Sequence, residues 1–287
     1  MQRNVRVIAR LDIKGPNLVK GIHMEGLRVL GSPQQFARHY YEAGADELIY
    51  IDVVASLYNR NSLHEFIAKT AREIFVPLTV GGGLRSIDDI RDVLLAGADK
   101  VSLNTAVLKN PKIISEAAQK FGSSTIIVAI EAIKQPGGDY FAYTDNGREF
   151  TGVEVLSWAR KVEQLGAGEI MITSVDREGT GRGYDIELTK MITDAVSIPV
   201  IAHGGAGKVE HIREVALNTE VSAVALSSIL HYDYIKNCEE ESYNSTEGNH
   251  DFIKSGNTFK IIQPANLTAI KTFLSISNIN CRPVTLS

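Results

Sequence analysis

Cysteine is scarce. Cys238 and Cys281 are the two in 287 residues, both in the last fifth of the chain, which excludes a disulfide framework and implies no thiolate metal site. An excess of one charge is also missing. The 30 Lys and Arg stand against 34 Asp and Glu, a formal net charge of −4, so there is no global basic field for nucleic acid. No apolar run reaches membrane-spanning length, and the opening MQRNVRVIARLDIKG lacks the apolar stretch of a secretory signal. The expectation is a soluble, cytoplasmic protein with neither nucleic acid nor membrane among its partners. What is present is an ordinary globular composition, 44% hydrophobic and 22% charged, on a chain long enough to bury a large core.

Short β-branched runs alternate with amphipathic stretches of helical period. The runs fall at 5–12, 47–53, 77–82, 100–105, 125–132, 169–175, 199–205 and 222–228. Between them, SPQQFARHYYEAG (32–44) reads as a helix with Ser32 at its N-cap, Pro33 at its first position and Gly44 at its end. SIDDIRDVLLAG (86–97) has the same grammar. Strands alternating with helices predict parallel βαβ units, and eight of them match the count of a (β/α)8 barrel. An internal repeat sharpens this. EAGADELIYID (42–52) aligns with QLGAGEIMITS (164–174), and VGGGLRSIDDIRDVLLAG (80–97) with AHGGAGKVEHIREVALNT (202–219). The offset is 122 in both blocks, from Gly44 to Gly166 and from Gly82 to Gly204. The chain therefore reads as one domain, 1–287, an α/β TIM barrel built from two half-barrel repeats. After Tyr234 the grammar breaks. Residues 236–263 form a polar, Gly/Asn/Ser-rich insert before a closing helix at 265–277.

Catalytic groups of such barrels sit at the C-terminal ends of the strands. Alternation along strand one puts Arg6, Ile8, Arg10 and Asp12 on one face; along strand five it puts Thr125, Ile127, Ala129 and Glu131 on one face. Asp12 and Glu131 thus end opposite strands, one per half-barrel. Two carboxylates across a barrel mouth suit acid–base catalysis when their environments separate their pKa values. The glycines Gly81-Gly82-Gly83 after strand three and Gly204-Gly205 after strand seven each precede a helix, where backbone amides can approach an anion. Their recurrence at the repeat offset predicts two anion cradles, completed by Asn104 and Thr105 after strand four and by Ser227 and Ser228 after strand eight. The substrate would then carry two separated phosphates. At the opposite end, the strand starts carry Arg6, Glu47, Lys100 and Glu169, charges that can close the barrel bottom as an ion-pair ring or stand as a solvated network.

The stretches LDIKGPNLVKG, DELIYIDVVAS, TVGGGLRS, ADKVSLNTA, GAGEIMITSVDREGTGRGYD and AHGGAGK resemble the HisF family, the cyclase subunit of imidazole glycerol phosphate synthase. The resemblance covers residues 4–235. It implies a histidine-biosynthesis lyase of the glutamine amidotransferase class. A HisH-like glutaminase would bind at the barrel bottom, and ammonia would pass through the barrel to convert the bisphosphate PRFAR into imidazole glycerol phosphate and AICAR. On that likeness Asp12 and Glu131 are catalytic, and Arg6, Glu47, Lys100 and Glu169 are the ammonia gate. The implied substrate-binding residues are Lys20, Asp52, Gly83, Asn104, Thr105 and Thr173, with Glu178, Gly179, Gly204, Gly205, Ser227 and Ser228. No metal or cofactor is implied. Four positions depart from the family. Glu131 and Glu178 stand where Asp is usual, Arg10 where a small residue is usual, and His203 where a serine-like residue is usual. Arg10 is expected to point inward one layer below Asp12, narrow the channel and hold Asp12 ionised. The departures leave open a second role, an ammonia-delivering homologue serving a sugar amidotransferase in surface-polysaccharide synthesis.

Overall fold

The computed structural model describes residues 4–55, 64–238 and 261–284. Its first half runs β1 (Arg6–Lys14), β2 (Asn17–Ile22), β3 (Glu25–Gly31), α1 (Pro33–Glu42), β4 (Glu47–Asp52), α2 (His64–Thr70), β5 (Leu78–Gly81), α3 (Ile87–Leu95), β6 (Lys100–Leu103), α4 (Thr105–Lys109) and α5 (Lys112–Phe121). The second half runs β7 (Ile126–Lys134), β8 (Tyr140–Thr144), β9 (Glu149–Glu154), α6 (Val155–Gln164), β10 (Glu169–Ser174), α7 (Ile186–Thr193), β11 (Val200–His203), α8 (Val209–Asn218), β12 (Ala223–Leu226), α9 (Ser228–Asn237) and α10 (Leu267–Ile276). Eight parallel strands pair in the order β10-β11-β12-β1-β4-β5-β6-β7, and β7 pairs with β10 to close the barrel. The repeat is visible in the element starts. Those of α1 and α6 (33 and 155), β4 and β10 (47 and 169), and β5 and β11 (78 and 200) are each 122 apart.

Strand–helix alternation alone does not announce the two hairpins. β2–β3 extends antiparallel from β1, and β8–β9 extends from β7. Each follows the first strand of its half-barrel and rises from the mouth. The second turns through Asp145, Asn146 and Gly147, all at positive φ (53°, 61° and 75°). Asn-Gly between alternating strands is the local signal for such a turn.

The main core lies between the outer faces of the strands and the helices. A smaller apolar cluster fills the barrel interior: Ile8, Ile49, Ile127, Met171, Ile201, Ala223 and Ala225, with Ile51 and Ala129 against it. These are the inward residues that period-two alternation selects. Thr125, expected on strand five, lies in the 3-10 turn just before it. Ser86 caps α3 in a full capping box with Asp89, whereas Ser32 occupies the N-cap of α1 with its hydroxyl donated to Gln34. α9 continues to Asn237, two residues into the stretch read as an insert, because its apolar face stays buried through Ile235. Residues 239–260 of that stretch lie outside the described residues. Beyond them Gln263 N–H donates to Gly207 O (2.6 Å), which returns the chain to the barrel.

The closing helix α10 is fixed by charge as well as packing. Lys271 is buried, and its Nζ donates to Gly44 O and Asp46 Oδ1, both at 2.7 Å. Asp46 also receives Arg282 Nε (2.8 Å) and the backbone N–H of Val7 (2.7 Å). Removing Asp46 strands a buried ammonium. Asp46→Ala is expected to cost about 3 kcal/mol, read as a lower urea midpoint with an unchanged denaturant slope.

Candidate active site

At the strand starts, four charged side chains form a closed ring. Arg6 Nη1 and Nη2 pair with Glu47 Oε1 and Glu169 Oε1. Lys100 Nζ pairs with Glu47 Oε2 (3.1 Å) and Glu169 Oε2 (3.4 Å). Both carboxylates are buried and each is shared by two cations. The expected ring is thus present in alternating sign, and the apolar interior lies directly above it.

At the strand ends a cavity of about 220 Å³ opens under the β8–β9 turn. Its walls include Arg10, Asp52, Glu131 and Thr173, and they bring together Gly82, Gly83, Asn104 and Thr105 of the first expected cradle. Arg85, Lys109, Asp145 and Asn146 also line it; the sequence reading missed these four. Arg85 and Lys109 follow the glycine turn and the Asn-Thr pair closely enough in sequence to have been found as anion-binding cations. Gly82 is required by backbone shape: φ is +97° and a Cβ there would collide with the Asp52 carbonyl. The Oδ1 of Asn104 is buried and has no hydrogen-bond partner among the described residues.

The residues of the second expected cradle, Gly204, Gly205, Ser227 and Ser228, lie together beside Lys20, Glu178, Gly179 and His203. It differs from the first in being nearly shut, with about 20 Å³ of space. The β2–β3 hairpin closes it. Lys20 and Glu178 form a buried ion pair, Glu178 Oε2 accepts the Met24 N–H (3.1 Å), and Glu178 O accepts the His23 N–H (2.9 Å). Ser227 Oγ donates to Arg10 O (3.0 Å). The repeat therefore produces two sites of like ancestry and unlike openness.

The two acids occupy opposite environments. Burial alone would raise the Asp12 carboxyl, but the Arg10 guanidinium, bonded through Nε at 2.9 Å, and the Lys20 ammonium hold it below the ordinary range. Glu131 stands on the facing strand, inside the cavity. Burial pushes it up to about 7, against the opposing pull of the Gly147 N–H bond (2.9 Å), the Arg10 charge and a hydrogen bond from Asn104. Near neutral pH one acid is ionised and the other sits at its midpoint, the separation that paired acid–base work requires. Arg10 points inward as alternation predicts. Its Nη1 lies 3.1 Å from His203 Nδ1, which also meets Thr173 Oγ1 at 3.1 Å. A guanidinium can only donate, so Nδ1 accepts and the ring proton is on Nε2. Burial and the charges of Arg10 and Lys20 keep His203 neutral.

Among the described residues no helix is long and apolar enough to cross a membrane. A family profile described as "Histidine biosynthesis protein" matches residues 6–236. The imidazole glycerol phosphate synthase subunit HisF of Legionella pneumophila is 58% identical over 207 residues, 72% of this chain and 98% of that protein. The protein of the same name from Prochlorococcus marinus (strain MIT 9515) is 49% identical over 229 residues, 79% of this chain and 89% of that protein.

Glu131 makes stability depend on pH. Its raised pKa means the folded state prefers the protonated form. That preference is fully present below the ordinary value of 4.5 and is lost as pH rises through about 7. Glu131→Gln cannot ionise. Its melting temperature relative to the wild type should therefore climb by a few degrees between pH 5 and pH 8, measured by calorimetry at both.

Proposed function

The chain belongs to the histidine-biosynthesis barrel family, among the HisF subunits of imidazole glycerol phosphate synthase, and from that membership we propose how its geometry performs the cyclase reaction. PRFAR and ammonia react at the barrel mouth to give imidazole glycerol phosphate, AICAR and water. The observation that carries the assignment of residues is the split pair. Asp12 is held ionised by Arg10 and Lys20, and Glu131 is poised near neutrality on the facing strand. Incorporation of nitrogen sheds protons from the attacking ammonia, and release of AICAR needs one at the departing nitrogen. Asp12 accepts the first and Glu131 supplies the second. Glu131 reaches one methylene further than Asp, and the Gly147 amide of the β8–β9 turn anchors that extra length.

One phosphate of the substrate lies in the open cavity against the Gly82-Gly83 turn, Thr105, Lys109 and Arg85. The other enters the closed site beside Gly204, Gly205 and Ser228 when the β2–β3 hairpin lifts and Lys20 parts from Glu178. Lys20 is then free to follow the substrate.

The glutaminase docks on the strand-start face. Phe75 and Leu95 are 79% and 78% exposed, and with Leu217 and Ile276 they lie at or just beyond the C-terminal ends of the helices, the end that shares a face with the strand starts. Four large apolar side chains around an ion-pair ring are the composition of a protein-binding surface. The ring of Arg6, Glu47, Lys100 and Glu169 is the entry gate, and the apolar interior above it suits neutral ammonia, not ammonium.

Two measurements test this. Steady-state AICAR release with saturating ammonium should be readily detected in the wild type and fall at least 1000-fold in Asp12→Asn, consistent with loss of a group essential to the step. Glutaminase stimulation without AICAR release would assign ammonia delivery to a sugar amidotransferase instead. Lys100→Ala should lower product formed per glutamine hydrolysed and leave ammonium-driven turnover intact. Equal loss of both activities would remove the gate from the ring.

A further inference from the structure

We propose that Arg10 is a positioning residue of this site: its planar guanidinium fixes Asp12 and His203 relative to one another and joins them to the cavity that contains Glu131. The inference rests on the reading of Asp12 and Glu131 as the reacting pair. Asp12 is not among the residues that line the cavity, whereas Arg10, two residues earlier on the same inward face of β1, is. A fully charged side chain at 5% exposure is unusual unless its partners are fixed. Here they are. Nε donates to Asp12, Nη1 donates to His203 on β11, and the Arg10 carbonyl receives Ser227 from the end of β12. Arg10 also lines the cavity, so its guanidinium borders the space where a substrate hydroxyl or oxyanion would lie. The fork is rigid, so two bonds from one plane set both partners' orientations. A lysine ammonium is a point donor and cannot reproduce this.

The charge matters as much as the shape. The groups facing Asp12 are Arg10 on its own strand, Lys20 on β2 and His231 on α9, with His203 on β11 beyond Arg10, Glu178 behind Lys20 and Glu131 across the mouth. The histidines are neutral and Lys20 is shared with Glu178, so Arg10 is the nearest cation committed to Asp12. Without it, burial acts on Asp12 with Lys20 alone in opposition. The carboxyl then takes up its proton about one to three pH units higher.

The test compares wild type, Arg10→Met and Arg10→Lys in two readouts. The first is the pH profile of kcat/KM for PRFAR with saturating ammonium. The second is the 13C NMR titration of the Asp12 carboxyl in the substrate-free protein. Arg10→Met should shift the acid limb of the profile, and the Asp12 titration with it, upward by about one to three pH units relative to the wild type. Arg10→Lys should keep the acid side near that of the wild type and lose kcat at the optimum, because the charge remains and the fork is gone. A fall in activity with both the profile and the Asp12 titration unchanged would make Arg10 merely structural and overturn the proposal. If the wild type releases no AICAR, the cyclase reading fails separately, and the NMR titration alone still decides the role of Arg10. Should Arg10→Met fail to fold, Arg10→Gln, which keeps polarity without charge, carries the same comparison.

Discussion

Every inward-facing group in this molecule takes its position from the closure of one sheet, the parallel pairing of β7 with β10 from Glu169↔Ile127 to Ser174↔Ala132. Once that register is set, the period of two leaves no freedom. Glu169 falls at the bottom, Met171 in the apolar middle and Thr173 level with Glu131 at the mouth. The same holds across β1 and β4, where Arg10 lies beside Ile49 and Asp12 beside Ile51. A one-residue slip would exchange the charged groups at the mouth for core residues.

Closure also creates an electrostatic problem that the two ends solve differently. The interior is too narrow and apolar for an unpaired charge, so charges collect at its two ends. At the bottom, compensation is complete: two carboxylates, two cations and four contacts. Such a ring adds little net stability, because desolvation offsets attraction; its contribution is to hold the opening in one geometry. At the mouth, compensation is deliberately uneven. Arg10 and Lys20 hold Asp12 ionised, while Glu131 receives hydrogen bonds and a pull from Arg10 that burial outweighs. That inequality separates two chemically similar acids into different protonation states.

The hairpins add asymmetry to a symmetric scaffold. Both follow the first strand of their repeat, yet one tip is clamped by Glu178 and seals its site, whereas the other supplies Gly147 to Glu131 and leaves a cavity beneath it. Arg148 and Glu25 link the two hairpins at 3.4 Å.

Much of this was legible in the residues. Alternating strand and helix patterns, with glycine turns repeated at an offset of 122, determined the barrel and its halves, because local periodicity is written into the chain. Strand alternation put Arg6, Arg10, Asp12 and Glu131 on the inner face, the strand starts gathered the four bottom charges, and the resemblance supplied the chemistry. The sequence alone did not determine which of those charges pair, that one cradle would be open and its twin shut, or that Arg85, Lys109, Asp145 and Asn146 would join the site. Nor did it determine that Glu131 would be pushed up while Asp12 is held down. Those outcomes depend on distances between groups far apart in the chain and on how much water each retains, and only the closed barrel with its two folded hairpins sets either.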